Sequence, residues 1–229
     1  MNLRFLAILI AFFVSLPAAA QEKTPTTEKE KRGYALGANA GRNYKNKGVD
    51  VDLEMMVQGI RDGYSGAKLL MSNESIGDTL NAFQQEMNQK LEEAEKTKGE
   101  NNRKEGDAFL AQNKTKEGVV TLDSGLQYKI LEAGTGNKPV ESDAVEVHYA
   151  GTTIDGMEFD SSYTKGKPVS IQLAKTIPGW REALKLMPVG SKWQLFIPPE
   201  LAYGTQGRGG VIGPNATLIF VVELLAIQQ

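Results

Sequence analysis

The sequence predicts an α+β protein in which an all-α region with a long linking helix precedes an antiparallel β-sheet wrapped around one short helix. Two observations predict this fold class. In the first half of the chain, apolar residues recur at helical spacing among charged helix formers. In the second half, short runs of β-branched and aromatic residues alternate with Gly, Asp and Ser turns. The helical pattern gives way to the strand pattern near residue 116, which predicts a helical domain over 21–115 and a sheet domain over 116–229.

The first twenty residues have the composition of a secretory signal peptide. Arg4 precedes a predominantly apolar stretch over 5–16, and Pro17 leads into three alanines that end at Ala20. A positive start, a short apolar run and small residues at the exit are typical of a cleaved leader. The run is shorter than the roughly 20 residues of a membrane span. We predict cleavage after Ala20 and a mature chain with no membrane span; the alternative is an uncleaved N-terminal anchor.

Composition excludes several classes of protein. The chain has no cysteine, so disulfide scaffolds and thiolate metal sites are excluded. His148 is the one histidine, and a single histidine on a strand is expected to be a packed or edge residue rather than a catalytic one. Removing the leader with its arginine changes the formal net charge from −2 to −3. Nucleic-acid binding needs a basic surface, so we predict no nucleic-acid partner.

Three helices are predicted in the helical domain. The second has Asp52 as its N-cap, and the third begins near Asn73 or Ser75. Charged helix formers continue towards residue 113, which gives the third helix a length of about 58 Å if it is unbroken. One apolar stripe steps along it by three or four residues and consists of Ile76, Leu80, Phe83, Met87, Leu91 and Ala94.

The long helix and the thin core of this domain predict assembly with a second copy. A domain of this size cannot bury such a rod, so its middle is expected to be solvated, with Gly99 and Gly106 as positions where it could bend. Short amphipathic helices make a small core, and small cores often need a partner chain. We predict a homodimer formed through the first two helices and the apolar stripe. The alternative is a small helical domain followed by a disordered linker.

Six strands and one helix are predicted in the sheet domain. The helix contains Trp180, Ala183, Leu184 and Met187 at i, i+3, i+4 and i+7 spacing, and the Pro-Val-Gly at 188–190 ends it. The strands are the apolar runs at 119–122, 126–131, 145–149, 169–173, 192–197 and 217–227.

Five short motifs follow one another in this domain. They are VHYAG at 147–151, GMEFDSS at 156–162, IPGW at 177–180, IPPELAYG at 197–204 and GPNATLIF at 213–220. In this order and spacing they resemble the FKBP-type peptidyl-prolyl cis-trans isomerases, over roughly the half of the chain after Gly118. The helical domain with its long helix resembles the N-terminal region of the macrophage infectivity potentiator and its periplasmic relatives.

The resemblance implies a pocket that grips a proline ring. Its catalytic groups would be Asp160 beside the twisted carbonyl, the hydroxyl of Tyr203 and the backbone N–H of Ile177. Without the motifs, aromatic residues in a β domain would be simple core and Asp160 a turn cap. The implied substrate-binding residues are Tyr149, Phe159, Val169, Trp180, Val211, Ile212 and Phe220.

Three positions depart from the family's pattern. Val169 stands where many relatives carry an aromatic residue, which thins one wall of the pocket. Lys165 stands where an arginine often pairs with the aspartate, and lysine lacks the bidentate fork, so a looser contact is expected. The 205–212 loop is rich in glycine and carries Arg208. We expect activity to survive these departures and substrate preference to shift.

The function implied is acceleration of X-Pro isomerisation during the folding of exported proteins in a bacterial periplasm, together with chaperone activity. Rotation about the X-Pro amide makes and breaks no bond, so no metal and no cofactor is required. The partners would be proline-containing unfolded or partly folded polypeptides and a second copy of the chain. One alternative is a holdase chaperone in which the isomerase pocket is secondary. Another is a structural dimer that carries a degenerate FKBP fold as an interaction module.

Overall fold

The computed structural model describes residues 24–228, which form two compact units, one ending at Asn73 and the other beginning at Glu74. The predicted signal peptide lies outside the described residues. Within them, no helix combines the length and the apolar character that crossing a bilayer requires. This boundary lies well before residue 116, where the sequence pattern changes from helical to strand-like. The reason is that the long helix packs on the sheet and belongs to the same unit.

The first unit contains helices α1 (Glu28–Asn46) and α2 (Leu53–Ser65). A capping box between Thr27 and Glu30 starts α1. Asp52 caps α2 as predicted, since its side chain accepts a hydrogen bond from the Met55 N–H at 3.0 Å. The described residues of both helices include no buried side chain. These helices are locally well specified, but they have no core of their own.

The second unit begins one residue into α3 (Asn73–Asn113), an unbroken helix of 41 residues. The stripe residues Leu80 and Leu91 are 60 % and 59 % exposed. The helix continues without interruption through Gly99 and Gly106. Both glycines are buried, because the backbone of α3 approaches the segment around residues 214–217 closely at these two positions.

The last turns of α3 pack against the sheet of the second unit. The Phe109 ring lies 5.9 Å from the Phe196 ring. The buried Asn113 amide donates to the Gln127 side chain at 3.0 Å, and Gln127 donates to the Leu110 carbonyl at 2.9 Å. Buried amides left without partners cost about 1–3 kcal/mol each, so these bonds tie the helix to the sheet.

Seven antiparallel strands make the sheet that follows. Its order is β1-β2-β6-β7-β3-β4, and β5 also pairs with β3. The sequence missed β4, because this strand is only four residues long and carries one large apolar side chain, Phe159. The strands are β1 (Val119–Thr121), β2 (Gln127–Glu132), β3 (Ala144–Thr153), β4 (Glu158–Ser161), β5 (Val169–Gln172), β6 (Lys192–Ile197) and β7 (Leu218–Gln228).

The short helix α4 (Pro178–Leu186) packs against this sheet. Pro178 occupies the first turn, where its missing N–H leaves no bond unmade. Leu184 is fully buried, which contributes roughly 1.5–3 kcal/mol. Alternate residues of β6 and β7 face the same core, including Trp193, Leu195, Ile197, Leu218, Phe220, Val222 and Leu224. The sheet wrapped on one helix confirms the predicted fold class.

Candidate active site

A cavity of about 530 Å³ lies between α4 and strands β3, β4, β5 and β7, with the loop after β6 along one side. Ligand cavities in proteins are typically about 300–1,000 Å³. The lining combines aromatic and aliphatic side chains with a few polar groups, namely Tyr149, Phe159, Asp160, Ile171, Lys175, Thr176, Ile177, Trp180, Tyr203, Arg208, Gly209, Val211, Ile212 and Phe220.

Four aromatic rings pack edge to face around the cavity. The Trp180 ring centre lies 5.2 Å from those of Tyr149 and Phe220, at 86° and 84°. The Phe220 and Phe159 centres are 5.5 Å apart at 85°. Such pairs contribute about 0.5–1.5 kcal/mol beyond burial. Trp180 and Phe220 are buried whereas Tyr149 and Phe159 are half-buried, so the rings form a packed floor with accessible walls.

Gly151 on β3 leaves the space that two of these rings occupy. A Cβ atom at this position would lie 2.6 Å from the Phe220 ring and 2.8 Å from the Phe159 ring. Carbon atoms pack at about 3.5–4.0 Å, so any side chain here would displace the rings. The glycine of the VHYAG motif therefore sets the shape of the cavity.

The Asp160 carboxylate accepts two short hydrogen bonds at one side of the cavity. Tyr149 Oη donates to Oδ2 at 2.5 Å, and Lys165 Nζ donates to Oδ1 at 2.6 Å. Burial raises the pKa of Asp160, but the bonds from Lys165 and Tyr149 outweigh it and hold this pKa below its ordinary value. Lys165 thus donates to one carboxylate oxygen, because lysine lacks the fork that would let it donate to both. Tyr149 donates to the other oxygen.

The same contacts keep the two donors protonated. Burial and then the bond to Asp160 raise the pKa of Tyr149, and the bond to Asp160 raises the pKa of Lys165. The three groups therefore form a cluster of fixed charge: a carboxylate, an ammonium and a neutral phenol.

Ile177 brings a backbone donor to the cavity. It is the residue before Pro178, and its extended backbone (φ −61°, ψ 150°) makes it the N-cap of α4. Its N–H has no hydrogen-bond partner within residues 24–228. Peptide N–H groups in a folded protein normally have a partner. This one is available to a carbonyl oxygen of a bound peptide.

The loop after β6 carries Tyr203, Val211 and Ile212 to the cavity. Two backbone hydrogen bonds between Arg208 and Ile212, at 2.7 and 3.1 Å, close it into a tight hairpin. Such a turn needs residues that adopt positive φ at low cost. Three glycines supply them, with φ angles of 62° at Gly207, 60° at Gly209 and 71° at Gly210.

Arg208 contacts Tyr203 through both its ring and its hydroxyl. The guanidinium Nη1 donates to Tyr203 Oη at 2.6 Å, and the group lies 5.2 Å from the ring centre. This hydrogen bond raises the pKa of Arg208. Since the bond uses a lone pair of the phenol oxygen, the Tyr203 O–H proton is free to be donated to a ligand.

The structure brings nine of the ten predicted site residues together around the cavity. Val169 is the exception: it packs against the core, and Ile171, two residues further along the same face of β5, lines the cavity instead. Sequence reasoning also missed Lys175, Thr176 and the direct role of Arg208 in the lining. The period-two pattern of β5 could have identified Ile171.

His148 lies outside this cavity. Its ring stacks on that of Tyr163 at 4.6 Å, and its Nδ1 lies 2.9 Å from Ser162 Oγ. These contacts agree with the interpretation of His148 as a packed residue.

Both parts of the chain match domains of known protein families. Residues 135–225 match the FKBP-type peptidyl-prolyl cis-trans isomerase domain. Residues 29–130 match the domain amino-terminal to FKBP-type peptidyl-prolyl isomerases. The crystal structure of FkpA from Escherichia coli is similar, with a TM-score of 0.72 and 39 % identity, over 90 % of this chain and 99 % of that one.

Curated relatives are similar over nearly the full length. The "Outer membrane protein MIP" of Legionella longbeachae is 47 % identical over 97 % of this chain and 96 % of its own length. The "Peptidyl-prolyl cis-trans isomerase Mip" of Coxiella burnetii is 39 % identical over 93 % of this chain and 94 % of its own length.

A sheet wrapped on one helix, with an aromatic cavity between them, defines a protein of the FKBP fold. The chain belongs to the FKBP-type peptidyl-prolyl cis-trans isomerases, in the group that includes the Mip and FkpA proteins. The predicted enzyme class is thereby confirmed.

Proposed function

We propose that the cavity described above is the isomerase site, which binds the proline ring and the flanking peptide of an X-Pro segment. Asp160, Tyr203 and the Ile177 N–H act as the catalytic groups. The observation that carries this proposal is the meeting of an apolar aromatic cavity with two unused donors, the Tyr203 O–H and the Ile177 N–H. The substrate-binding residues are Tyr149, Phe159, Trp180, Val211, Ile212 and Phe220, together with Ile171.

The chemistry follows from the nature of the barrier. Rotation about the X-Pro amide has a barrier of about 18–20 kcal/mol, because the nitrogen lone pair is delocalised into the carbonyl. The twisted amide loses this delocalisation and carries less charge on its oxygen than the planar forms. A dry, apolar cavity therefore disfavours the twisted amide less than the planar forms, which is what catalysis requires. No bond is made or broken, and no proton has to be transferred.

The polar groups of the site orient the peptide rather than react with it. The Ile177 N–H and the Tyr203 O–H donate to carbonyl oxygens on either side of the proline. Both oxygens of Asp160 already accept hydrogen bonds, so this residue acts as a fixed charge beside the rotating carbonyl. Its role is electrostatic and does not involve proton transfer.

This site assignment is tested with the purified protein and a chromogenic Leu-Pro peptide. Trp180→Ala and Phe220→Ala each remove part of the floor, so both kcat and substrate binding should fall. Tyr163→Phe is the matched control, since Tyr163 is an aromatic residue that stacks on His148 outside the cavity. Full activity in Trp180→Ala would place the reaction elsewhere in the molecule.

We propose that the chain acts as a homodimer on exported proteins during their folding in a bacterial periplasm. The signal-like N-terminus supports export. The exposed apolar side chains of the helices support assembly, since extensive exposed apolar surface marks interaction sites. Examples are Tyr34, Leu36, Leu53, Ile60, Tyr64, Leu80 and Leu91.

A holdase chaperone is the second candidate function, because the same apolar surface could hold unfolded clients. The two are separated by assaying suppression of aggregation of a proline-free client by the wild type and by Trp180→Ala. Equal suppression by both proteins would show that the chaperone activity does not need the isomerase site. Absence of suppression by the wild type would exclude the holdase function.

A further inference from the structure

One face of α3 contacts the loop after β6, which carries Tyr203 to the cavity. This face consists of small and polar residues at i, i+3, i+4 and i+7 spacing, namely Gly99, Asn102, Arg103 and Gly106. Both glycines are buried, and a Cβ atom at Gly99 would lie 3.1 Å from the Pro214 side chain. The helix backbone therefore lies close to the end of the loop, within reach of short polar side chains.

Asn102 and Asn215 join α3 to the end of this loop. The Asn102 amide donates to the Pro214 carbonyl at 2.7 Å, and the Asn215 amide donates to the Gly99 carbonyl at 3.3 Å. Asn215 has a φ of 53° and is the one residue other than glycine with a positive φ within residues 24–228. Asparagine tolerates this conformation better than most residues, but the conformation persists only where surrounding contacts hold it. The bonds between Asn215 and α3 and between α3 and Pro214 are such contacts.

Both chain neighbours of Tyr203 are bonded to groups that α3 holds. On one side, the Asn215 N–H donates to the carbonyl of Gly204, the residue after Tyr203, at 2.8 Å. On the other side, Glu200 lies three residues before Tyr203 and forms an ion pair with Arg103 of α3. This pair is exposed, so it contributes less than the amide bonds at the other end of the loop. The backbone that carries Tyr203 is thus fixed to the helix before and after this residue.

We propose that α3 positions the hydroxyl of Tyr203 for the reaction, with Asn102 as the main positioning residue and Arg103 as a weaker one. The inference rests on the proposed isomerase site, because Asn102 acts only through the Tyr203 O–H. Asn102 is not among the residues that line the cavity, so it has no contact with the substrate there. An O–H donor works best at about 2.7–2.8 Å from its acceptor and weakens steeply when it is misaligned. Loosening the loop should therefore weaken the bond from Tyr203 to the peptide.

The size of the effect is limited by what the hydroxyl itself contributes. Loss of one neutral hydrogen bond corresponds to no more than about a tenfold loss in rate. Asn102→Ala leaves the hydroxyl in place but less well aligned, so kcat/KM should fall by about two- to fivefold. Arg103→Gln should lower kcat/KM by about twofold, and Arg103→Lys should restore most of the loss, since the charge returns.

The test is a double-mutant cycle with Tyr203→Phe in the full-length protein. For a chromogenic Leu-Pro peptide, kcat/KM is measured for the wild type, Asn102→Ala, Tyr203→Phe and the double variant. If Asn102 acts through the Tyr203 hydroxyl, Asn102→Ala should lower kcat/KM in the wild-type background and leave it unchanged in the Tyr203→Phe background. A residue that only stabilises the fold, or that shapes the whole cavity, would lower kcat/KM by the same factor in both backgrounds.

Asn101→Ala is the matched control. Asn101 is the neighbouring asparagine on α3 and is exposed, so its replacement should leave kcat/KM at the wild-type value in both backgrounds. The midpoint of urea unfolding shows whether each variant is folded under the conditions of the assay. If Asn102→Ala is not folded, the same cycle with Arg103→Gln, a change at an exposed residue, decides the question.

Three results would overturn the inference: equal activity of Asn102→Ala and the wild type, an equal fractional loss in the two backgrounds, or full activity of Tyr203→Phe. In the last case the hydroxyl makes no contribution that Asn102 could support. In all three cases the wild type still turns over the peptide, and the proposed isomerase function stands. If the wild type does not turn over the peptide, the proposed function fails and the role of Asn102 fails with it.

Discussion

At the residue scale, the polar end of the cavity is a cluster whose charges are fixed around neutral pH. The bonds from Lys165 and Tyr149 hold the pKa of Asp160 below its ordinary value, so the carboxylate stays charged until the solution is strongly acidic. The bond to Asp160 raises the pKa of Lys165, so this ammonium stays charged until the solution is strongly alkaline. The cluster is lost as pH falls through the Asp160 pKa or rises through the Lys165 pKa.

The rate of isomerisation should therefore be nearly flat between pH 6 and 8. None of the groups of the cluster titrates there, and His148 lies outside the cavity. The measurement is kcat/KM for a Leu-Pro peptide across this range, by an assay that does not use a coupled protease. A bell-shaped profile would contradict the electrostatic role of Asp160 and point to proton transfer.

Tyr203→Phe should lower kcat/KM by no more than about tenfold. The substitution removes one neutral hydrogen bond, worth roughly 0.5–1.5 kcal/mol, and 1.36 kcal/mol corresponds to tenfold in rate. Arg208 loses its partner but is exposed, so water replaces the phenol oxygen. Tyr163→Phe is the control for loss of a phenol hydroxyl outside the cavity. A thousandfold loss at Tyr203 would require a role in acid-base chemistry.

At the scale of elements, α3 supports the wall of the cavity that carries Tyr203 and Ile212. Asn102 donates to the Pro214 carbonyl at 2.7 Å, and Asn215 donates to the Gly99 carbonyl at 3.3 Å. The backbone N–H of Asn215 in turn donates to the Gly204 carbonyl at 2.8 Å. The loop after β6 is thus held at its end by the helix.

Gly106→Ala should destabilise the second unit, although alanine is the better helix former by about 1 kcal/mol. A Cβ atom at Gly106 would lie 2.3 Å from Thr217 Oγ1, on a residue that is almost fully buried. Overpacking of this kind typically costs about 1–3 kcal/mol, so the clash should outweigh the gain in helix propensity. The measurement is the midpoint of urea unfolding.

Gly77→Ala is the matched control on the same helix. Apart from the neighbouring backbone of α3 itself, the described structure has no atom within 4 Å of a Cβ at this position, so alanine should be neutral or stabilising by up to about 1 kcal/mol. If Gly106→Ala were also stabilising, the close packing of α3 on the 214–217 segment would be absent in solution.

Most helices and strands, and the aromatic residues of the cavity, could be predicted from the sequence, because their signals are local. The stripe at 76–94 and the strand runs follow from periodicity, and the five motifs carry the site. The close packing of Gly106 on Thr217 could not be predicted, because the two residues are far apart in the sequence. From the sequence alone, a glycine within a helix indicates only low helix propensity. The contact of Arg208 with Tyr203 depends in the same way on a hairpin that three glycines shape.

At the scale of the whole molecule, the two compact units differ in how much core they have. The second unit has a continuous core built from the sheet and α4. The first has two helices whose described residues are not buried. A unit without a core does not offset its loss of conformational entropy, which amounts to about 1–2 kcal/mol per residue for the backbone. A second chain that covers these faces would supply the missing burial.

Replacing Leu80 with Gln and Phe83 with Ser should therefore convert the protein from a dimer to a monomer. Both residues belong to the stripe of α3, where Leu80 is 60 % exposed within one chain. Because the stripe lies far along the helix from the cavity, activity on a short Leu-Pro peptide should stay near the wild-type value. Ala82→Gln with Gln89→Ser changes the opposite face of the same helix and is the matched control. Light scattering at tens of micromolar gives the mass of each protein, and a monomeric wild type would exclude the proposed dimer.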